Sequence, residues 1–215
     1  MVAPPKLHHQ IKAMAHIQSV CVYCGSAPGS DPLFAEEARR FGRILADHGV
    51  RLVYGGGGIG LMGEVASAVA LAGGKVMGII PGFLVRRERA FAHEAEMLVV
   101  NDMHERKRLM FEHADAFVAL PGGVGTLEEL VEQLTWAQLG QHRKPVLLAN
   151  IAGFWDPFLT LVDHMRATGF IRAPYAVDML VAESVDEILP MLQAAAARIP
   201  DAALRGTDEA VTEKM

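Results

Sequence analysis

The sequence predicts an α/β protein, a doubly wound parallel sheet covered by helices on both faces. Three features lead there: seven short runs apolar on both faces, six intervening stretches with helical periodicity, and three glycine- or serine-rich loops that each leave a strand to start a helix. Strands this apolar do not suit a sheet with one wet face, and strands alternating with helices build parallel sheets through right-handed crossovers. With 215 residues, 51% of them hydrophobic, the chain can bury one sizeable core. The expected architecture is a Rossmann-like single domain over residues 16–199, with flexible tails at 1–15 and 200–215.

Taken in order, the run QSVCVY (18–23) is the first strand; the loop CGSAPGS (24–30) leads from it to a helix over 32–48. RLVY (51–54) follows, then GGGGIGLMG (55–63), overlapping a helix over 61–72. KVMGII (75–80) and EMLVV (96–100) are the third and fourth strands, with a helix over 102–114 behind them. DAFVAL (115–120) runs into PGGVGT (121–126) and a helix over 126–139. KPVLLAN (144–150), a helix over 155–168, DMLVAE (178–183) and a helix over 185–197 complete the pattern.

Charge and composition exclude several classes of function. A net charge of −5 argues against a nucleic-acid or anionic-membrane surface as the main partner, although basic residues cluster at RRER (86–89) and ERKR (105–108). No run approaches the roughly 20 apolar residues of a membrane span, and the first residues lack an apolar signal core, so a cytoplasmic location is expected. Cys21 and Cys24 match C-x-x-C, but Cys21 lies within a strand instead of opening a helix, and a zinc site needs two more ligands. No metal and no cofactor are expected.

Folds of this class bind ligands where the loops at the carboxyl ends of the strands gather. The second loop satisfies G-x-G-x-x-G twice, yet no Asp or Glu lies between Glu64 and Glu88 to take ribose hydroxyls at the dinucleotide spacing. None of the loops ends in Gly-Lys-Ser/Thr, so a triphosphate site is also disfavoured. A monophosphate suits them better. After PGGVG comes Thr126-Leu127-Glu128-Glu129, which admits two readings. One is a capping box between Thr126 and Glu129. The other is a phosphate on the Gly123 to Thr126 N–H groups with a glutamate one turn in, facing the sugar of a breaking glycosidic bond.

The stretch PGGVGTLEE resembles the P-G-G-x-G-T-x-x-E signature of the Lonely Guy (LOG) family, often mislabelled lysine decarboxylase, and MHERK (103–107) is similar to its second signature. VCVYCGSAPG, YGGGGIGLMG, GIIPGFL, ADAFVALPGG, LTWAQLG and KPVLL extend the similarity over about residues 17–190. The resemblance implies a nucleoside 5′-monophosphate phosphoribohydrolase that releases a purine base, notably a cytokinin-type adenine, and ribose 5-phosphate. It implies a homodimer, Arg106 and Glu129 as catalytic residues, and substrate binding by Glu88, Lys107, Gly122, Gly123, Gly125, Thr126 and Thr135. A non-catalytic nucleotide-binding or molybdenum-cofactor-carrier-like protein is the alternative.

Two further expectations follow from the residues. Of the six lysines, only Lys107 falls near the glycine loops; Lys75 and Lys144 open strands at the other end of the sheet, and Lys6, Lys12 and Lys214 fall in or near the tails. A Schiff-base decarboxylase is therefore not expected. The bulky residues of WAQLG and GFWDPFLTLV (153–162) exceed what one amphipathic helix needs against its own sheet, which agrees with a homodimer.

Overall fold

The computed structural model describes residues 16–88, 96–172 and 179–200. The expected tails, apart from Pro200, and Arg89 of the first basic run lie outside the described residues. Seven strands, β1 (Ser19–Tyr23), β2 (Arg51–Tyr54), β3 (Val76–Pro81), β4 (Glu96–Val100), β5 (Ala116–Ala119), β6 (Val146–Ala149) and β7 (Met179–Ala182), form one sheet in the order β4-β3-β2-β1-β5-β6-β7. Every neighbouring pair is parallel, with Cys21 beside Val53 on one side and Phe117 on the other.

The helices are α1 (Pro32–Asp47), α2 (Gly60–Leu71), α3 (Met103–Glu112), α4 (Val124–Gln138), α5 (Asp156–Ala167) and α6 (Val185–Ala196). Helices α1, α2 and α6 cover one face through Phe41, Leu45, Val65, Val69 and Leu189; α3, α4 and α5 cover the other through Met110, Leu130 and Phe158. Strand order reverses direction between β1 and β5, so the loops that follow these two strands diverge to opposite faces and open a crevice between them.

Two expectations about the α4–α5 region are corrected. Helix α4 begins at Val124, two residues earlier than expected, with Gly123 as its N-cap and no side-chain cap. Thr126 is therefore the third helical residue, buried, and makes no capping box with Glu129. The reason is the extended backbone of Gly123, which starts the helix before a side chain able to cap it occurs. A complete capping box does form elsewhere, between Ser184 and Glu187 at the start of α6. The aromatic residues between 153 and 162 mostly turn inward: Trp155 is 4% exposed and its indole N–H donates to the Ala119 carbonyl at 3.2 Å, with Phe154 and Phe158 packed edge-on against it. The outer surface of α5 instead exposes Leu161 and Met165, and Phe170 just beyond it is 85% exposed.

Candidate active site

The loops after β1 and β5 are bonded to each other, the Gly25 N–H donating to the Pro121 carbonyl at 3.0 Å. Gly122 is required where they meet. A Cβ on it would fall on the Thr126 hydroxyl and 2.9 Å from the Gly25 nitrogen. The buried Thr126 thus fixes the loop, while Gly123, Val124 and Gly125 stay exposed and the first-turn N–H groups of α4 have no intrahelical acceptor. On the α1 side of this junction lies a cavity of about 230 Å³ walled by Ser26, Phe34, Leu61, Gly122 and Phe154. No titratable side chain lines it, so acid–base chemistry belongs to the α3–α4 side of the loop.

Arg106 is delivered there by the start of α3. Asp102 caps the helix, accepting from the Glu105 N–H at 2.8 Å, and the Glu105 carboxylate accepts from the Asn101 N–H at 2.9 Å. One turn in, Arg106 is 6% exposed. Its Nη2 donates to the Gly55 carbonyl at 3.1 Å, Nη1 lies 3.8 Å from the Met103 sulfur, and Nε has no partner. A Cβ on Gly55 would overlap the guanidinium, so the second glycine loop gives this arginine its space. A buried cation with one carbonyl and no paired carboxylate is costly unless a ligand completes it.

Glu129 projects from the second turn of α4. Burial pushes its carboxyl up to about 7; Arg106 and, less strongly, Lys107 oppose the shift, while Glu128 and Glu88 add to it. Among the described residues no ion pair joins Arg106 to Glu129. Glu88 reaches the same site by a route that linear spacing hides. The turn after β3 folds back so that the Glu88 carbonyl accepts from the Gly58 N–H at 2.9 Å, and its Oε2 is buried without a partner beside Gly57. Sequence spacing thus finds no acid within the expected window, and the fold nevertheless brings one to the glycine loop. Tyr23 and Cys24, at the end of β1, feel the charge of Glu129; the motifs singled out neither of them as part of the site.

The remaining site candidates are placed differently. The Lys107 ammonium lies between the carboxylates of Glu128 and Glu132. Thr135 is on the exposed side of α4, its hydroxyl donating to the Val131 carbonyl at 2.7 Å, nine residues and about 13 Å of helix rise beyond Thr126. Cys21 and Cys24 belong to opposite faces of the sheet and cannot pair. Lys144 is buried at the amino end of β6, its ammonium donating to the Phe111 carbonyl at 2.6 Å and lying 4.0 Å from the Phe111 ring centre. It lies at the end of the sheet opposite the glycine loops.

Taken together, these features define a Rossmann-like protein with glycine loops, an open helix N-terminus and an Arg/Glu centre without an ion pair between its members among the described residues. The architecture matches solved structures of the molybdenum cofactor carrier protein of Chlamydomonas reinhardtii, with a TM-score of 0.64 at 21% identity over 86% of this chain and 100% of that one, a likeness of fold alone. A family model described as possible lysine decarboxylase matches residues 62–192. The cytokinin riboside 5′-monophosphate phosphoribohydrolase LOG of Oryza sativa subsp. japonica is 46% identical over 83% of this chain and 74% of its own length. LOG7 of Arabidopsis thaliana, which has the same description, is 46% identical over 83% of this chain and 82% of its own. This chain belongs to that family. The decarboxylase wording of the family model fits neither these relatives nor the placement of Lys107 and Lys144.

Proposed function

We propose that this protein hydrolyses the N-glycosidic bond of purine nucleoside 5′-monophosphates, AMP-like or cytokinin-type, to free base and ribose 5-phosphate. One observation carries the reading: an open helix N-terminus fit for a phosphate dianion stands one turn from a carboxyl titrating near neutrality, with a buried arginine Nε unpartnered across from it. The phosphate rests on Gly122, Gly123, Gly125 and Thr126. Arg106 contacts phosphate or ribose, and the Glu88 carboxylate, unpartnered beside the glycine loop, takes ribose hydroxyls. Glu129 accepts a proton from water as the water oxygen bonds to C1′. The C1′–N9 electron pair leaves with the base, which takes up a proton, so that AMP and water become adenine and ribose 5-phosphate.

Hydrogen bonds to a charged group contribute about 1.5 to 3 kcal/mol each, so two or three at the loop favour a nucleotide over a nucleoside by several kcal/mol. The test is base release from a panel of AMP, N6-substituted AMP, adenosine and ATP. Adenine and ribose 5-phosphate from AMP, with far slower cleavage of adenosine, is the expected result. Equal rates on AMP and adenosine, or AMP binding without turnover as in a carrier, contradict it.

We also infer a homodimer in the cytoplasm. The location is the expectation from a sequence without a run of roughly 20 apolar residues; no helix among the described residues is long and apolar enough to cross a membrane. Support for the dimer comes from the outer faces of α4 and α5, where Val124, Val131, Leu139, Leu161 and Met165 are exposed and no α5 residue is buried. Thr135 shares that α4 surface and would meet substrate only through the second copy. A monomer mass by light scattering at micromolar concentration would remove the idea.

A further inference from the structure

We propose that Lys107, Glu128 and Glu132 form a clasp between α3 and α4 that sets Arg106 against Glu129, making Lys107 and Glu128 positioning residues and not phosphate ligands. The inference rests on the catalytic reading of Arg106 and Glu129. Its basis is geometric. Arg106 and Lys107 are neighbours on α3, and Glu128 and Glu129 are neighbours on α4. Adjacent helical residues point about 100° apart, so each helix presents one charged side chain to the site and the other to the opposite helix. The inner pair, Arg106 and Glu129, is left open. In the outer set, Lys107 binds Glu128 and lies 3.3 Å from Glu132.

Magnitudes separate a positioning role from mere stabilisation. Glu128 is about half exposed, and exposed ion pairs add little to stability. The Lys107 and Glu132 side chains are only 15% and 23% exposed, so the clasp is anchored on its buried side. Burial alone would depress the Lys107 ammonium, but the two carboxylates outweigh it and hold its pKa above the ordinary value. Further along the same two helices the rings of Phe111 and Trp136 pack edge-to-face at 5.4 Å. The clasp ties the two helices together beside Arg106 and Glu129.

The charges around Glu129 make the idea testable. They are Arg106 and Lys107 on α3, Glu128 on its own helix and Glu88 on the turn after β3, beside the titratable but uncharged Cys21 and Tyr23 on β1 and Cys24 just after it. Lys107 favours the Glu129 carboxylate and Glu128 disfavours it. AMP hydrolysis is therefore followed against pH for wild type, Lys107→Met, Glu128→Gln, Glu129→Gln and the reversed pair Lys107→Glu with Glu128→Lys. The clasp predicts that Lys107→Met lowers kcat about tenfold with KM for AMP within about twofold, because misplacement of reacting groups costs rate. The midpoint of the kcat/KM profile moves up in Lys107→Met and down in Glu128→Gln, and the reversed pair regains most of the lost kcat.

A rise in KM with kcat unchanged in Lys107→Met would make the lysine a phosphate ligand and overturn the clasp. So would a lower melting temperature with an unmoved midpoint, the result of a merely structural ion pair. Glu129→Gln separates the two layers of inference. If it is inactive while the reversed pair stays impaired, the clasp alone fails; if it keeps activity, the catalytic reading fails and the clasp with it.

Discussion

Helices α3 and α4 bracket two buried polar clusters, one at each end of the strands, and the contrast between them separates chemistry from structure. At the amino ends, His142 and Lys144 are both buried and both displaced from their ordinary pKa, to about 4 and about 8, chiefly by burial. Their polar atoms are nevertheless committed. The Lys144 N–H donates to His142 Nδ1 at 3.1 Å, which leaves the proton on Nε2, and Nε2 donates to the Gln133 carbonyl at 3.1 Å. The Lys144 ammonium is bonded to Phe111. At the carboxyl ends, Arg106 Nε and Glu88 Oε2 are buried without partners, and the raised Glu129 carboxyl has no ion pair. Perturbed pKa values occur at both ends. Unmet bonding capacity also occurs at both, since the side-chain amide of Gln133, whose carbonyl bonds His142, is buried without partners; only at the carboxyl ends does it belong to charged groups around an open helix N-terminus, and it is this difference that points to a ligand.

Breaking each cluster in turn gives the largest expected contrast. Arg106→Ala should lower kcat/KM for AMP by about 100-fold or more, through both kcat and KM, since a buried charge-assisted contact to substrate is lost. Lys144→Met should leave AMP turnover within about twofold but cost about 1 to 2 kcal/mol of unfolding free energy, because the Phe111 carbonyl loses its donor. Kinetics and urea unfolding on the same preparations check both. If Lys144→Met abolished turnover, the two ends would not be separable.

How far the sequence foretold these two ends differs for physical reasons. RLVY is buried beyond Arg51 and EMLVV, although the exposed edge of the sheet, is an equally unbroken apolar run, so both are legible in the sequence, and the observed β2 and β4 have those bounds. The start of α4 is hidden in the sequence because glycine at 123 and 125 contains no capping side chain, and Thr126 mimics a cap it does not make. Glu88 is legible through family resemblance and not through spacing, since its position beside Gly57 depends on a turn returning from β3. The pairing of Lys107 with α4, and the Tyr23 and Cys24 side chains that sense Glu129, are tertiary facts with no local pattern.

A smaller effect sharpens the comparison at the structural end. His142 is held neutral, with a folded pKa of about 4 below the ordinary 6.5. Its contribution to stability is therefore present above pH 6.5 and lost as pH falls through 4. His142→Gln should flatten the acid side of the stability profile between those values while AMP turnover at pH 7.5 changes less than about twofold. Urea midpoints across pH 4 to 7 measure it, and an unchanged slope would mean His142 titrates normally.

The opposite sign holds for Glu129, and it supplies the most direct test of the account. Its folded pKa of about 7 lies above the ordinary 4.5, so whatever it adds to stability is present below 4.5 and lost as pH rises through 7. At pH 8 an ionised Glu129 destabilises the fold, as expected of a group kept for its chemistry. Glu129→Gln, with unfolding and AMP hydrolysis measured on one preparation at pH 4 and pH 8, should lose at least about 100-fold in adenine release at pH 8. The same protein should gain roughly 1 to 3 kcal/mol of stability at pH 8 and almost none at pH 4. A variant that still releases adenine at near the wild-type rate would contradict the account, whatever its stability.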